Sequence, residues 1–156
     1  MTTPYQTVGP FFGFALPFDG GSEAVSNDGV RIEGQLLDGG GEPVPDGLLE
    51  VWQGDQFARC GTDPEGVFHF RVRKPPARDG QAPHLEVFVF ARGLLRQLAT
   101  RMYFPDEATA NAADPALRAA GDRRDTLIAR DEGGVLRFDV RLQGEGETVF
   151  FDLTPG

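Results

Sequence analysis

His84-Leu85-Glu86-Val87-Phe88-Val89-Phe90-Ala91-Arg92 decides the fold class. In an extended chain Leu85, Val87 and Val89 point one way, and His84, Glu86, Phe88, Phe90 and Arg92 the other. Valine and phenylalanine on both sides suit a pleated, half-buried surface. The segment is the strongest strand in the chain.

Working outward, Val30-Arg31-Ile32-Glu33-Gly34-Gln35-Leu36 alternates apolar and polar with the same period. Leu48 to Gln53 forms a second, more apolar strand. In Val67 to Arg73, Phe68, Phe70 and Val72 share one face, opposite His69, Arg71 and Arg73. Leu95 to Phe104 continues from the central strand with a mixed pattern. Val135 to Leu142 alternates cleanly, and a Gly144-Glu145-Gly146-Glu147 turn returns the chain as Val149 to Leu153, the pattern of a hairpin. Gly/Pro-rich stretches, such as Asp38–Pro45 and Gly61–Gly66, separate these runs. Seven or so short strands predict an all-β fold: a two-sheet antiparallel sandwich. One clear helix is expected, Asp106 to Ala113, with an acidic start and alanines that favour it. Asp114-Pro115 is placed to begin one further turn as N-cap and first helical residue.

Pro4-Tyr5-Gln6-Thr7-Val8-Gly9-Pro10-Phe11-Phe12 is rich in breakers and aromatics, and reads as an extended arm that lies against another surface. The expected organisation is an arm with turns over residues 1–28, packing on a partner subunit, followed by one sandwich domain over 29–156. There are no repeats and no low-complexity segment.

The chain has 156 residues and a formal net charge of -9, which argues against nucleic-acid binding through a basic surface. An anionic ligand would need arginines inside a pocket. Cys60 is the only cysteine, so no internal disulfide is available. No secretory leader or bilayer-length apolar run is evident. A cytoplasmic protein is expected.

Little in the pattern offers a nucleophile. Cys60 has no histidine close in sequence and reads as a small, partly buried thiol. No Gly-x-Ser-x-Gly elbow and no phosphate-cradling glycine loop is present. The two histidines are His69 and His84. His84-Leu85-Glu86 has the two-residue spacing of paired metal ligands on a strand face. The competing reading is that Glu86 pairs with an arginine such as Arg101. Arg92 shares a face with Phe88 and Phe90, an arrangement that can clamp a carboxylate beside packed rings. The alternative is an ordinary surface arginine at a strand end.

Taken in order, Thr3 to Phe12, Leu49-Glu50-Val51-Trp52-Gln53, Thr62-Asp63-Pro64-Glu65-Gly66-Val67-Phe68, Ala82-Pro83-His84, Phe88 to Gly93, Thr100 to Phe104 and Gln143 to Asp152 resemble the intradiol ring-cleaving dioxygenases. Phe90-Ala91-Arg92-Gly93 and the last stretch are similar to the alpha-type chains of two-subunit members. Nearly the whole chain is covered. The Trp52–Thr62 stretch is short for the family.

The resemblance implies a heteromeric enzyme of aromatic (beta-ketoadipate) catabolism that uses O2 to open 3,4-dihydroxybenzoate to 3-carboxy-cis,cis-muconate. It implies Fe(III) held by two tyrosines and two histidines of a beta-type partner. In this chain the histidine pair reads His84 and Glu86, and no tyrosine stands between Trp52 and Pro76. The resemblance therefore implies no metal and no catalytic residue in this chain alone. It also implies that Thr7, Pro10 and Arg92 line the substrate pocket beside the partner's iron. A second reading of the same residues is a stand-alone, transthyretin-like sandwich used for binding.

Overall fold

The computed structural model describes Gly9 and residues 11–152. Most of the arm, Thr7 and Pro10 included, lies outside the described residues. Among the described residues nine strands form two sheets. β1 (Val30–Leu37), β4 (Val67–Val72), β7 (Arg130–Asp131), β8 (Val135–Arg137) and β9 (Val140–Arg141) make the first sheet, ordered β4-β1-β8-β7 with β9 also on β1. β2 (Leu48–Gln53), β3 (Gln56–Gly61), β5 (His84–Phe90) and β6 (Leu98–Tyr103) make the second, ordered β3-β2-β5-β6.

The core lies where the expected inward faces meet. Ile32, Leu36, Phe68, Phe70, Val72 and Val140 come from the first sheet, and Leu49, Val51, Leu85, Val87, Val89 and Met102 from the second. Each is at most 3% exposed. Burying side chains of this size contributes about 1.5–3 kcal/mol each before the entropy cost of ordering them. Leu85, Val87 and Val89 alternate with half-buried Glu86 and Phe88, while Leu48 to Val51 are all buried; β2 and β5 pair antiparallel in one register, from Leu48 opposite Phe90 to Trp52 opposite Glu86.

The first sheet is not wholly antiparallel. β8 and β9 run parallel to β1, with Ile32 opposite Leu136 and Leu36 opposite Val140. The ladder is interrupted between them at Phe138-Asp139. There the Phe138 carbonyl lies against Gly34, and a Cβ at Gly34 would collide with it and with the Phe68 ring. The Asp139 carboxylate accepts the Gln35 N–H at 3.0 Å, replacing the missing backbone acceptor.

Several expectations change. Of the expected return strand Val149–Leu153, the described part, Val149–Asp152, does not pair as a hairpin. Thr148 stays tied to Arg141, and the chain then crosses to the other sheet, where Phe151 N–H donates to the Ala99 carbonyl at 2.8 Å. The edge of β6 offers unpaired backbone groups there, and the tail satisfies them. β3 was not expected, since only Ala58 of its side chains is fully buried in the core and the rest read as loop. The segment Phe12–Ala15, placed in the extended arm, is a single helical turn, α1. The helix expected at Asp106 begins at Ala108 and ends at Ala113 (α2). It is followed by α3 (Pro115–Ala120), where the Asp114 carboxylate accepts from the N–H groups of Ala116 and Leu117, as the Asp-Pro pair predicts. A 3-10 stretch, Gly121–Leu127, completes the connection. No helix among the described residues is long and apolar enough to cross a membrane.

Candidate functional site

β5 carries His84 and Glu86 at its start, on the sheet face turned away from the core, and Arg92 lies past its other end. At its start, His84 is buried and Glu86 half-buried. Backbone pairing sets Tyr103 opposite His84 and Arg101 opposite Glu86 on β6, and Trp52 opposite Glu86 on β2. This small patch is therefore a direct consequence of register.

His84 Nδ1 is 2.8 Å from the Ala82 carbonyl. A carbonyl only accepts, so Nδ1 carries a proton and the ring is fixed, the orientation in which a histidine offers Nε2 to a metal. Nε2, however, faces Glu86 Oε1 at 3.3 Å. Arg101 Nη2 closes on the same Glu86 oxygen at 2.9 Å. Arg101 also reaches Gln81 Oε1 at 3.2 Å and covers the Phe151 ring at 5.5 Å. Gln53 donates to the His84 carbonyl at 2.8 Å. Beside this cluster Gln53, Pro76, Arg78, Gln81, His84 and Glu86 border a cavity of about 210 Å³.

Electrostatics follow from these contacts. Burial pushes the Glu86 carboxyl up, but the hydrogen bond to His84 and the charge of Arg101 more than offset it and hold the carboxyl below its ordinary range. The guanidinium of Arg101 is correspondingly raised, its desolvation outweighed by Tyr103 and Glu86. Tyr103 packs against His84 with ring centroids 5.3 Å apart and donates its hydroxyl to Asp114 at 3.1 Å. Burial pushes that phenol up to about 12, so it remains protonated at neutral pH.

These residues do not fit ferric iron. The ion is hard and favours anionic oxygen donors with imidazole. Here one imidazole nitrogen faces a carboxylate that already holds a guanidinium, and the adjacent phenol is locked as a donor. Among the described residues no group of three or more histidine, cysteine, aspartate or glutamate side chains is placed to hold a metal ion. Arg101 puts a fixed positive charge where a cation's charge would otherwise face Glu86.

Arg92 lies beyond the other end of β5, in the turn that follows it, and ion-pairs through Nε with Asp46 of the β1–β2 loop. Its side chain is 65% exposed. Eight residues at about 3.3 Å each separate it from His84 by roughly 26 Å. The structure therefore does not bring Arg92 together with His84 and Glu86. Phe88 and Phe90, on the shared face, are half-buried. Gln53, Gln81 and Asp114 were not singled out as site residues by the sequence. The two glutamines carry no pattern, and Asp114 was legible only as a helix cap.

The chain is 39% identical to the protocatechuate 3,4-dioxygenase alpha chain of Burkholderia cepacia, with 97% of each chain covered. It is 35% identical to the alpha chain of Pseudomonas putida, covering 97% of this chain and 96% of that one. The chain belongs to the protocatechuate 3,4-dioxygenase family. The Burkholderia cepacia beta chain is also similar, at 32% identity over 76% of this chain and 66% of that one. No family model matches. The dioxygenase domain of a dioxygenase–carbohydrate-binding fusion from Streptomyces sp. SirexAA-E shares the fold, with a TM-score of 0.61, 24% identity and coverage of 79% of this chain and 87% of that one.

The first family alignment spans 191 positions against 156 residues in this chain, so the relative holds segments this chain lacks. The Trp52–Thr62 stretch folds around the β2–β3 hairpin, whose turn is only Gly54 and Asp55, with Gly54 at φ 61°. Cys60, on β3, is half-buried, and burial raises its thiol, which suits a structural role.

Proposed function

We propose that this chain is the alpha subunit of a protocatechuate 3,4-dioxygenase, and that it binds no iron itself. The observation that carries the reading is the Arg101–Glu86–His84 cluster in a chain 39% identical to an alpha chain end to end. In the assembled enzyme a beta subunit holds Fe(III), which supplies Lewis-acid activation of the bound catechol. O2 then opens the ring of 3,4-dihydroxybenzoate between its hydroxyl carbons to give 3-carboxy-cis,cis-muconate. The setting is cytoplasmic catabolism of aromatic acids.

This chain's part is positioning. Arg92 stands on an exposed turn, and its guanidinium can exchange Asp46 for the substrate carboxylate through a two-pronged hydrogen bond. Pro10, with its fixed φ, stiffens the arm against the ring, and Thr7 offers a hydroxyl. Together they orient the substrate and exclude water near the partner's metal. A net charge of -9 makes a local arginine necessary for an anionic aromatic acid. The stand-alone binding module is not favoured, since the relatives are enzyme subunits matched over nearly their full length.

Coexpression with a beta-type chain tests the reading. We expect co-elution in size exclusion, iron in the complex, and a colourless, iron-free chain when it is expressed alone. Iron bound stoichiometrically by this chain alone would overturn it.

A further inference from the structure

On the first sheet a second cavity of about 360 Å³ opens between β8, β9, the end of the 3-10 stretch with Ile128, and the segment holding Gly146 and Thr148. Its lining is rich in hydrogen-bond donors. Arg130, Arg137 and Arg141 border it, against two carboxylates, Asp125 and Asp139.

Asp139 is already fully engaged. It takes Arg137 Nε at 2.7 Å, Arg130 Nη2 at 3.1 Å and the Gln35 N–H at 3.0 Å. Asp125 is 89% exposed and sits within 3.7 Å of Arg124. Arg141 differs from both its neighbours. Its backbone N–H donates to Thr148 Oγ1 at 3.0 Å, but the side chain of this half-buried residue has no hydrogen bond or ion pair among the described residues. The guanidinium rests instead against Gly41, whose added Cβ would meet Nη2 at 3.3 Å. Thr148 is 1% exposed and accepts through its hydroxyl oxygen, while its own O–H proton has no acceptor among the described residues. Arg141 and Thr148 both border this cavity, in a chain of net charge -9. The spare donors of the Arg141 guanidinium are open to an acceptor with negative charge, which they can hold through charge-assisted hydrogen bonds.

We infer that this cavity is a binding site for a small carboxylate anion, seated between the Arg141 guanidinium and the Thr148 hydroxyl with Arg137 alongside. The guanidinium fork matches the two oxygens of a carboxylate, and the hydroxyl adds a third donor. Leu37 and Phe138 supply an apolar wall for the carbon skeleton. The site is separate from Arg92 and does not depend on the dioxygenase reading.

Succinate is the probe, titrated calorimetrically at low salt into the full chain as it purifies from coexpression with a beta chain. One saturable site per copy of this chain is expected. Arg141→Met weakens it by roughly tenfold or more, the usual loss for a charge-assisted pair. Thr148→Val weakens it several-fold, and Arg92→Ala leaves it unchanged. Ring-cleavage turnover is the same in Arg141→Met as in the unaltered protein. If Arg141→Met does not fold, Arg141→Lys keeps the charge without the fork and still weakens succinate several-fold. Absence of saturation by about 10 mM, where binding is too weak for a built site, would overturn the inference. Unchanged affinity in the Arg141 variant would overturn it too. So would inorganic phosphate competing as well as succinate, since the site would then read charge and not carboxylate shape.

Discussion

Replacing Glu86 with glutamine removes a charge while keeping size and one acceptor, which isolates the ion pair at the start of β5. The pair is neither fully exposed nor fully buried: the Arg101 side chain is 20% exposed and that of Glu86 32%. Exposed pairs contribute about 0–1 kcal/mol, and breaking a buried one costs about 3–5 kcal/mol. Arg101 keeps its contacts to Gln81 and the Phe151 ring in the variant, which holds the loss toward the lower end. About 1–1.5 kcal/mol is expected, a fall in Tm of about 2–6 °C for a chain of this length. The pH dependence is the sharper check. The folded carboxyl lies below its ordinary value, so its contribution is fully present above the unfolded value of about 4.3 and disappears as pH falls through the lower folded value. Thermal unfolding of both proteins from pH 7 down to pH 2 reads the difference. Equal Tm at pH 7, or a gap that persists unchanged to the acid limit, would refute the account of Glu86 as Arg101's counter-charge.

Asp114→Ala removes the acceptor for Ala82 N–H at 2.9 Å, for the Tyr103 hydroxyl and for two N–H groups of the α3 start, so urea unfolding should show a loss of about 2–4 kcal/mol. Gly34→Ala forces a Cβ into the Phe138 carbonyl and the Phe68 ring; a backbone shift costing about 3 kcal/mol or more is expected, read as loss of soluble protein or a lowered urea midpoint. Arg92→Ala gives up only an exposed pair with Asp46, so Tm should hold within the ~1 kcal/mol such pairs are worth, while kcat/KM of the assembled enzyme for the carboxylated catechol falls roughly tenfold or more. Glu86→His still recruits no iron, since Tyr103 stays protonated with its phenol near 12; metal analysis of the purified chain would show it.

The strands that alternate were legible because alternation is the backbone's own period. β1, β2, β4 and β5 could be read to within a residue or two. β3 could not, since a strand with Gln, Arg and Gly in it has no apolar period of its own and exists because β2 supplies a full ladder, from Leu48 opposite Gly61 to Gln53 opposite Gln56. The misread hairpin has a similar cause. Gly144–Glu147 turns the chain as its composition says, but pairing beyond the turn is a competition between edges, and β6 offers one where Thr100 Oγ1 donates to the Val149 carbonyl at 2.7 Å. Of the candidate site, the His84–Glu86 spacing and the Arg101 alternative were visible as residue types. Which partner Glu86 takes was not.

The sequence by itself determined the two-sheet class, the inward faces, the Asp114 cap and, through its relatives, the family. These rest on local period and on residue identity, which need no knowledge of what lies opposite. The tertiary structure alone decided that β8 and β9 run parallel to β1 and that Arg101 stands across from Glu86. It also decided that Arg92 pairs with Asp46 in the turn beyond that strand, and that Arg141 and Thr148 share a cavity. Those are facts of register and strand order, in which residues distant in sequence are brought side by side, and a one-residue slip would turn each of them to the opposite face.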